Sequence, residues 1–239
     1  MTLKPIAPQP SLTEIAADRI RDAIISGVFR LGENISEDRL VARLEISRTP
    51  IRDAMAMLSK EGLVNVRPKR GTFVFETSPE DIAAICAYRE LLEAQGMRVA
   101  LASAREPFLA ELGGIVQAME RALCEDAIED YTRLDTRFHQ CAFDFCGNSY
   151  LRDAHGLIAG RIAALRANIT APYAERRAES FEEHRGMLDM LGQGDLDSLD
   201  AALAVHIRRT GEVYSKALAD GHLGAAPAKA NAAGGERRK

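Results

Sequence analysis

Along most of this 239-residue chain, apolar positions recur with the three-and-four spacing of a helix that buries one face. A first helix is predicted from Ser11, where Ser11-x-x-Glu14 has capping-box spacing, to about Gly27, with Ile20, Ala23, Ile24 and Val28 as its apolar face. Ser36 caps a short second helix that turns Leu40, Val41 and Leu44 inward. Ser47-Arg48-Thr49-Pro50 opens a third, in which Ile51, Ala54, Met55 and Leu58 repeat at i, i+3, i+4, i+7. Pro50 is tolerated because a first-turn N–H has no intrahelical partner. The period changes once, where Leu63–Val66 and Thr72–Phe75 flank the polar turn Arg67-Pro68-Lys69-Arg70-Gly71 and predict a β-hairpin. Six more helices follow, at about 79–104, 107–124, 127–146, 149–169, 173–192 and 196–219. The breaks between them fall at Pro107, Gly147-Asn148-Ser149, Ala171-Pro172 and Gly192-Gln193-Gly194-Asp195.

Ser78, Pro79, Glu80 and Asp81 suit a helix start: a cap, a first-position proline and two acids at the positive end of the dipole. A domain boundary is placed there, giving 1–77, 78–220 and a low-complexity tail, 221–239, expected to be disordered. The fold class is mainly α, a small module with a hairpin followed by an all-α six-helix bundle.

Charge sharpens this division. The whole chain carries 31 basic and 35 acidic side chains, for a net −4, which at face value argues against a nucleic-acid partner. Residues 1–75 are +3, however, while residues 76–220 are −10 and the tail is +3. Within 39–70, eight basic groups face three acids. That local surplus decides, because attraction to phosphate is screened beyond about 8–10 Å. No apolar run reaches the roughly 18–20 residues of a membrane span, and Met1–Pro10 has no apolar signal core. Cys86, Cys124, Cys141 and Cys146 form no C-x-x-C and are expected as reduced thiols in a cytoplasmic protein.

Two short helices joined at Glu45-Ile46, the second opening Ser-Arg-Thr, have the layout of a helix-turn-helix, and the hairpin makes it a winged variant. The strings Ile46-Ser47-Arg48-Thr49-Pro50-Ile51-Arg52-Asp53-Ala54, Leu58-x-x-Glu61-Gly62-Leu63-Val64 and Arg70-Gly71-Thr72-Phe73-Val74 resemble the DNA-binding signature of GntR-family transcription regulators. The resemblance covers about residues 11–75. It implies that Ser47, Arg48, Thr49 and Arg52 contact phosphates and base edges, and that the Lys69-Arg70-Gly71 wing enters a neighbouring minor groove. Asp38 stands where the family often has a basic contact, with Arg39 one step on as the alternative. Glu45 replaces a frequent glycine, and Leu31-Gly32 replaces the usual Pro-Gly.

Histidines carry the candidate chemistry of the second part. Asp135 and His139 are four apart and share a helix face, while His184 and His206 lie in the fifth and sixth bundle helices. One carboxylate and three imidazoles suit a divalent ion, although the spacing alone also fits ordinary core or surface histidines. His155 and His222 are expected at the surface or in the tail. Asp135-x-x-Phe138-His139, Glu183-His184, Gly194-Asp195 and His206 are similar to the effector domain of the FadR-like (FCD) branch of these regulators, and the helix count resembles its VanR-like subgroup. The resemblance implies Asp135, His139, His184 and His206 as ligands of a divalent metal, zinc first and nickel or manganese as alternatives. It also implies Arg89 as the partner of a small carboxylate effector, set against an ordinary surface Arg89–Glu93 pair.

The expected function is a metabolite-responsive DNA-binding regulator. It would be a homodimer on a palindromic double-stranded operator, most simply a repressor released by an organic acid acting through linker 76–78. A metal-dependent hydrolase or lyase fused to a DNA-binding module is the enzyme alternative, disfavoured because no general base or phosphate loop accompanies the histidines. An effector-independent DNA binder with a structural metal is the third.

Overall fold

The computed structural model describes residues 10–169 and 174–220. The tail 221–239, His222 included, lies outside the described residues, as does the predicted break at Ala171-Pro172.

The N-terminal module contains α1 (Leu12–Ile25), α2 (Glu37–Leu44) and α3 (Arg48–Lys60), with β1 (Asn34–Ile35), β2 (Val64–Arg67) and β3 (Gly71–Val74). The capping box at α1 forms as the sequence predicts. The Glu14 N–H donates to Ser11 Oγ at 3.2 Å, and the Ser11 N–H donates to Glu14 Oε2 at 2.7 Å. Ile20, Ile24, Leu40, Ile51, Ala54, Met55 and Leu58 are buried together, so the apolar stripes of the three helices form one core. Glu45 ends α2 in the left-handed region, at φ 55°, which explains why glycine is favoured at such a position. The hairpin forms with Val64 opposite Val74 and Arg67 opposite Gly71. At its tip Lys69 (φ 62°) and Gly71 (φ 107°) make the turn, and a Cβ on Gly71 would stand 2.7 Å from the Asn34 amide nitrogen. The sequence pattern missed β1. Its two residues pair with β3 (Asn34 with Phe73, Ile35 with Thr72) in the order β1-β3-β2, and two residues are too few to show a period.

The bundle contains α4 (Pro79–Cys124), α5 (Ile128–Phe145), α6 (Ser149–Ile169), α7 (Ala174–Gln193) and α8 (Leu196–Ala219). Two predicted helices join as α4, bent at Ala104 (φ −149°, ψ 47°). The bend lies upstream of Pro107 because the proline ring crowds the carbonyl four residues before it and removes one ladder hydrogen bond. Counted by arms, the bundle has six helical segments among the described residues. Met97, Phe108, Leu112, Met119, Phe138, Leu191 and Leu203 are among its fully buried side chains.

Helix α6 belongs to both parts. Ala164 is buried in the core of the N-terminal module. A Cβ on Gly160 would come within 2.9 Å of Leu63, so only glycine allows this approach. Arg161 lies 5.0 Å from the centre of the Phe75 ring and donates to Asp81 Oδ2 at 2.6 Å. On its other side α6 faces the bundle interior, where His155, Ala159, Ile162 and Arg166 share one face of the helix. Nothing in the local pattern around Ala164 predicts that it completes another module's core.

Candidate nucleic-acid interface and metal centre

Ser47, Arg48, Thr49 and Arg52 stand exposed on the first turns of α3, with Arg39 exposed on α2 and Lys69, Arg70 and Gly71 exposed at the wing tip. The inward residues of α3 fix this orientation, since Ile51, Ala54, Met55 and Leu58 occupy its other face. Three of the arginines carry partners from nearby acids. Arg48 pairs with Asp38, Arg52 Nε donates to Glu37 Oε2 at 2.9 Å, and Arg39 Nη1 donates to Glu33 Oε1 at 3.0 Å. Lys69 and Arg70 have no acidic partner among the described residues. Asp38, which departs from the family's basic residue, is therefore bonded to the first turn of α3. An exposed helix N-terminus bearing arginines and a cationic hairpin tip form a surface suited to duplex DNA.

Inside the bundle the structure brings His139 of α5, His184 of α7 and His206 of α8 together, with one ring nitrogen from each within 4.8 Å of the others. His139 Nε2 and His184 Nε2 are 3.2 Å apart. Two nitrogens each about 2.0–2.1 Å from one ion would lie roughly 3–3.4 Å apart at ligand angles of about 90–110°. The other ring nitrogens are oriented by carboxylates. His139 Nδ1–H donates to Glu93 Oε2 at 2.7 Å, and His206 Nδ1–H donates to Glu183 Oε2 at 2.7 Å. Each bond fixes the tautomer that leaves Nε2 with a lone pair, the arrangement by which carboxylates orient metal-binding imidazoles.

His184 tests the fit. Its Nδ1 is buried without a hydrogen-bond partner, 3.6 Å from Asp135 Oδ1. Were His184 Nε2 to donate to His139, Nδ1 would turn a lone pair toward that carboxylate. With both Nε2 lone pairs on a cation, Nδ1 carries the proton and faces Asp135 favourably. The donor set thus fits a divalent ion better than it fits a hydrogen bond between rings. Burial keeps His139 and His184 neutral, pushing His139 down to about 4 and His184 well below its ordinary value.

Asp135 is brought to the site but stands beside the three histidines. Its carboxylate pairs with Arg166 and accepts from Ser180 Oγ at 3.4 Å. Burial raises its pKa, yet Arg166 and the neighbouring imidazoles hold it below the usual carboxylate range. Arg89 is neither a surface residue nor free: it is fully buried, and its Nε donates to Glu93 Oε1 at 2.6 Å. Its Nη1 has no hydrogen-bond partner. Burial of Glu93 opposes its ionisation, but Arg89 and then His139 hold it well below the usual range. His155 corrects the surface expectation. It is buried and stacked on Phe143, with ring centres 3.9 Å apart and planes within 14°. A cavity of about 20 Å³ lies between His139, His155 and Arg166, room for about one water molecule.

Sequence reasoning missed Glu93, Glu183, Arg166 and Arg209 as parts of this centre. Three carboxylates (Glu93, Asp135, Glu183) and three guanidinium groups (Arg89, Arg166, Arg209) surround the imidazoles, so the shell is electrically balanced before any ion enters.

A winged helix-turn-helix joined to a helical bundle that gathers three histidines defines a two-part class of DNA-binding regulator. Residues 12–74 match the gntR family of bacterial regulatory proteins and residues 84–209 match the FCD domain, and the chain belongs to this FCD-containing, FadR-like branch of the GntR family. It is a DNA-binding transcription regulator rather than an enzyme. It is 28% identical to an uncharacterized HTH-type transcriptional regulator of Streptomyces ambofaciens over 80% of this chain and 79% of that protein. It is 27% identical to the HTH-type transcriptional repressor NanR of Cronobacter sakazakii over 85% of each chain. Among solved structures, E. coli McbR/YncC has a similar fold, with a TM-score of 0.77 at 18% identity, covering 88% of this chain and all of that one. Among the described residues, no helix is long and apolar enough to cross a membrane.

Proposed function

We propose that this regulator is a cytoplasmic repressor, of the VanR-like subgroup, that releases a palindromic operator when a small carboxylate binds at a metal centre in the bundle. In this reading residues 1–77 bind DNA and residues 78–220 sense the metabolite. Ser47, Arg48, Thr49 and Arg52 meet the major groove, Arg39 adds a phosphate contact, and Lys69, Arg70 and Gly71 reach the minor groove. A homodimer presents two such surfaces to the two half-sites. The repressor sign is supported by the likeness to NanR, whose name states that role.

The observation that carries the reading is the balanced shell around three clustered imidazoles. His139, His184 and His206 would hold zinc, or nickel or manganese in its place, with Asp135 as the adjacent carboxylate. Such an ion attracts a carboxylate as a Lewis acid. Because three acids and three arginines already cancel, its charge is left to be matched by an anionic ligand, and Arg89 Nη1 offers an unused donor to that anion.

Transmission follows from α6. Its His155 and Arg166 border the cavity beside His139, and its opposite face holds Gly160 and Ala164 against the DNA-binding module. A carboxylate larger than one water must move α6 to enter, and moving α6 shifts the module to which it is packed. Linker 76–78 is then one of two connections. The ligand acts only as far as it binds the displaced arrangement more tightly.

Elemental analysis of the purified protein, followed by a thermal-shift screen of small carboxylic acids, tests this. About one divalent ion per chain is expected, with one acid giving a large shift that chelation abolishes; at a hundredfold excess over Kd the gain is about 2.7 kcal/mol. A His139→Ala protein with full metal stoichiometry would refute the ligand assignment.

A further inference from the structure

The arginines at the start of α3 are not bare. Arg48 is bonded to Asp38, and Arg52 is bonded through its Nε edge to Glu37, both acids lying in the first turn of α2. The wing-tip cations, Lys69 and Arg70, have no such partner among the described residues. The contrast separates two kinds of cation on one surface. We propose that Glu37 and Asp38 are specificity-determining residues, which restrain Arg52 and Arg48 from sequence-independent phosphate contact and release them to correctly placed guanines.

A free arginine that meets a phosphate displaces counterions from DNA and gains affinity on any sequence. A paired arginine must give up a carboxylate to do so, exchanging one exposed ion pair for another with little gain. Guanine offers more. Its O6 and N7 accept two parallel hydrogen bonds, and Arg52, held by Nε, keeps both terminal nitrogens available for that fork. Glu37 therefore also acts as a positioning residue, holding the guanidinium end outward. Its side chain is only 33% exposed, against 61% for Arg52, so the fixed partner is the acid. Asp38 is 75% exposed beside Arg48, where its charge also meets an approaching phosphate backbone.

This inference rests on the assignment of Arg48 and Arg52 to the groove, and the experiment separates the two. The full-length protein first selects a high-affinity duplex from a random library. Binding to that duplex and to a scrambled one is then measured against salt for wild type, Glu37→Gln/Asp38→Asn, Arg48→Ala, Arg52→Ala and a control on α1, Asp22→Asn, which matches in charge the single variant Asp38→Asn. The double variant should bind scrambled DNA about tenfold more tightly near 0.15 M salt, with the salt slope steeper by about 1–2. Its affinity for the selected duplex should rise less than threefold, so that the specificity ratio falls. Asp22→Asn should leave the ratio within twofold. Equal gains on both duplexes, an unchanged scrambled affinity, or the same loss of ratio in Asp22→Asn would each overturn the inference. Circular dichroism confirms folding, and because α2 can lose dipole support, Asp38→Asn alone is tested in parallel for a smaller loss of ratio. If Arg48→Ala and Arg52→Ala both keep selected-duplex affinity, the groove assignment fails instead.

Discussion

Replacing Glu93 with glutamine separates two roles that this carboxylate combines. Glu93 and Arg89 are both about 1% exposed, and Glu93 binds Arg89 through one oxygen at 2.6 Å and His139 through the other at 2.7 Å. Glutamine keeps the volume but leaves Arg89 as a buried cation without a counter-charge, and breaking a buried pair in this way costs about 3–5 kcal/mol. Replacing both residues, as Arg89→Met with Glu93→Leu, removes the buried charges together and should cost far less, within about 1–2 kcal/mol of wild type. Metal affinity should not recover with stability. In the double variant His139 loses the acceptor that fixes its Nδ1–H tautomer, and in Glu93→Gln a single amide oxygen must serve either Arg89 or His139; loss of such a partner lowers affinity about 10–100-fold. Urea denaturation in the presence of a chelator reads the first effect, and competition against a chromophoric chelator reads the second. A Glu93→Gln protein destabilised by less than about 1 kcal/mol would refute the buried-charge argument. A double variant with wild-type metal affinity would refute the orienting role.

Two glycines of α6 should respond in opposite senses. Gly156 has open space where a Cβ would go, so Gly156→Ala should raise stability by about 0.5–1 kcal/mol, whereas Gly160→Val drives side-chain atoms into buried Leu63 and should cost about 1–3 kcal/mol; both are read from urea midpoints. Glu45→Gly relieves a left-handed residue at the end of α2 and should stabilise by about 0.5–1 kcal/mol in the same assay, no gain counting against strain at that cap. His155 is held down to about 4 by burial, against about 6.5 in the unfolded chain, so its neutral form favours folding above pH 6.5 and that support is lost as pH falls toward 4. In metal-free protein, His155→Phe should therefore flatten the stability profile between pH 4 and 6.5 by about 1.4 kcal/mol per pH unit, and an unchanged slope would show that His155 is not buried neutral.

What the sequence made legible was local. The capping box at Ser11, the period of α3, the hairpin and the break points at Gly147 and Gly194 all rest on neighbours within a few residues, and the elements lie where these predict. Asp135 and His139 were singled out by their shared face and the set with His184 and His206 by the family resemblance; the three imidazoles cluster, and Asp135 stands beside them. Their supports were not legible. Glu93 lies 46 residues from His139 and Glu183 lies 23 from His206, and each looks, in its own helix, like one more charged residue among many. Arg89–Glu93 has the spacing of a solvated surface pair, and only packing by other helices makes it a buried one. His155 was misjudged for the same reason: Arg152, Asp153 and Gly156 around it read as surface, while the aromatic face that covers it, Phe143, comes from α5.

The two-sided packing of α6 bears on how such regulators can be recombined. A chimera that grafts a foreign winged helix at the linker would set an unmatched surface against Gly160, Arg161 and Ala164. The graft would fold on each side of the joint yet lose the packing that couples its two parts, because the joint in sequence is not the joint in space. Swapping the outward positions of α6 together with the DNA-binding module would preserve the match, and leave the inward positions 155, 159, 162 and 166 in their native contact with the bundle.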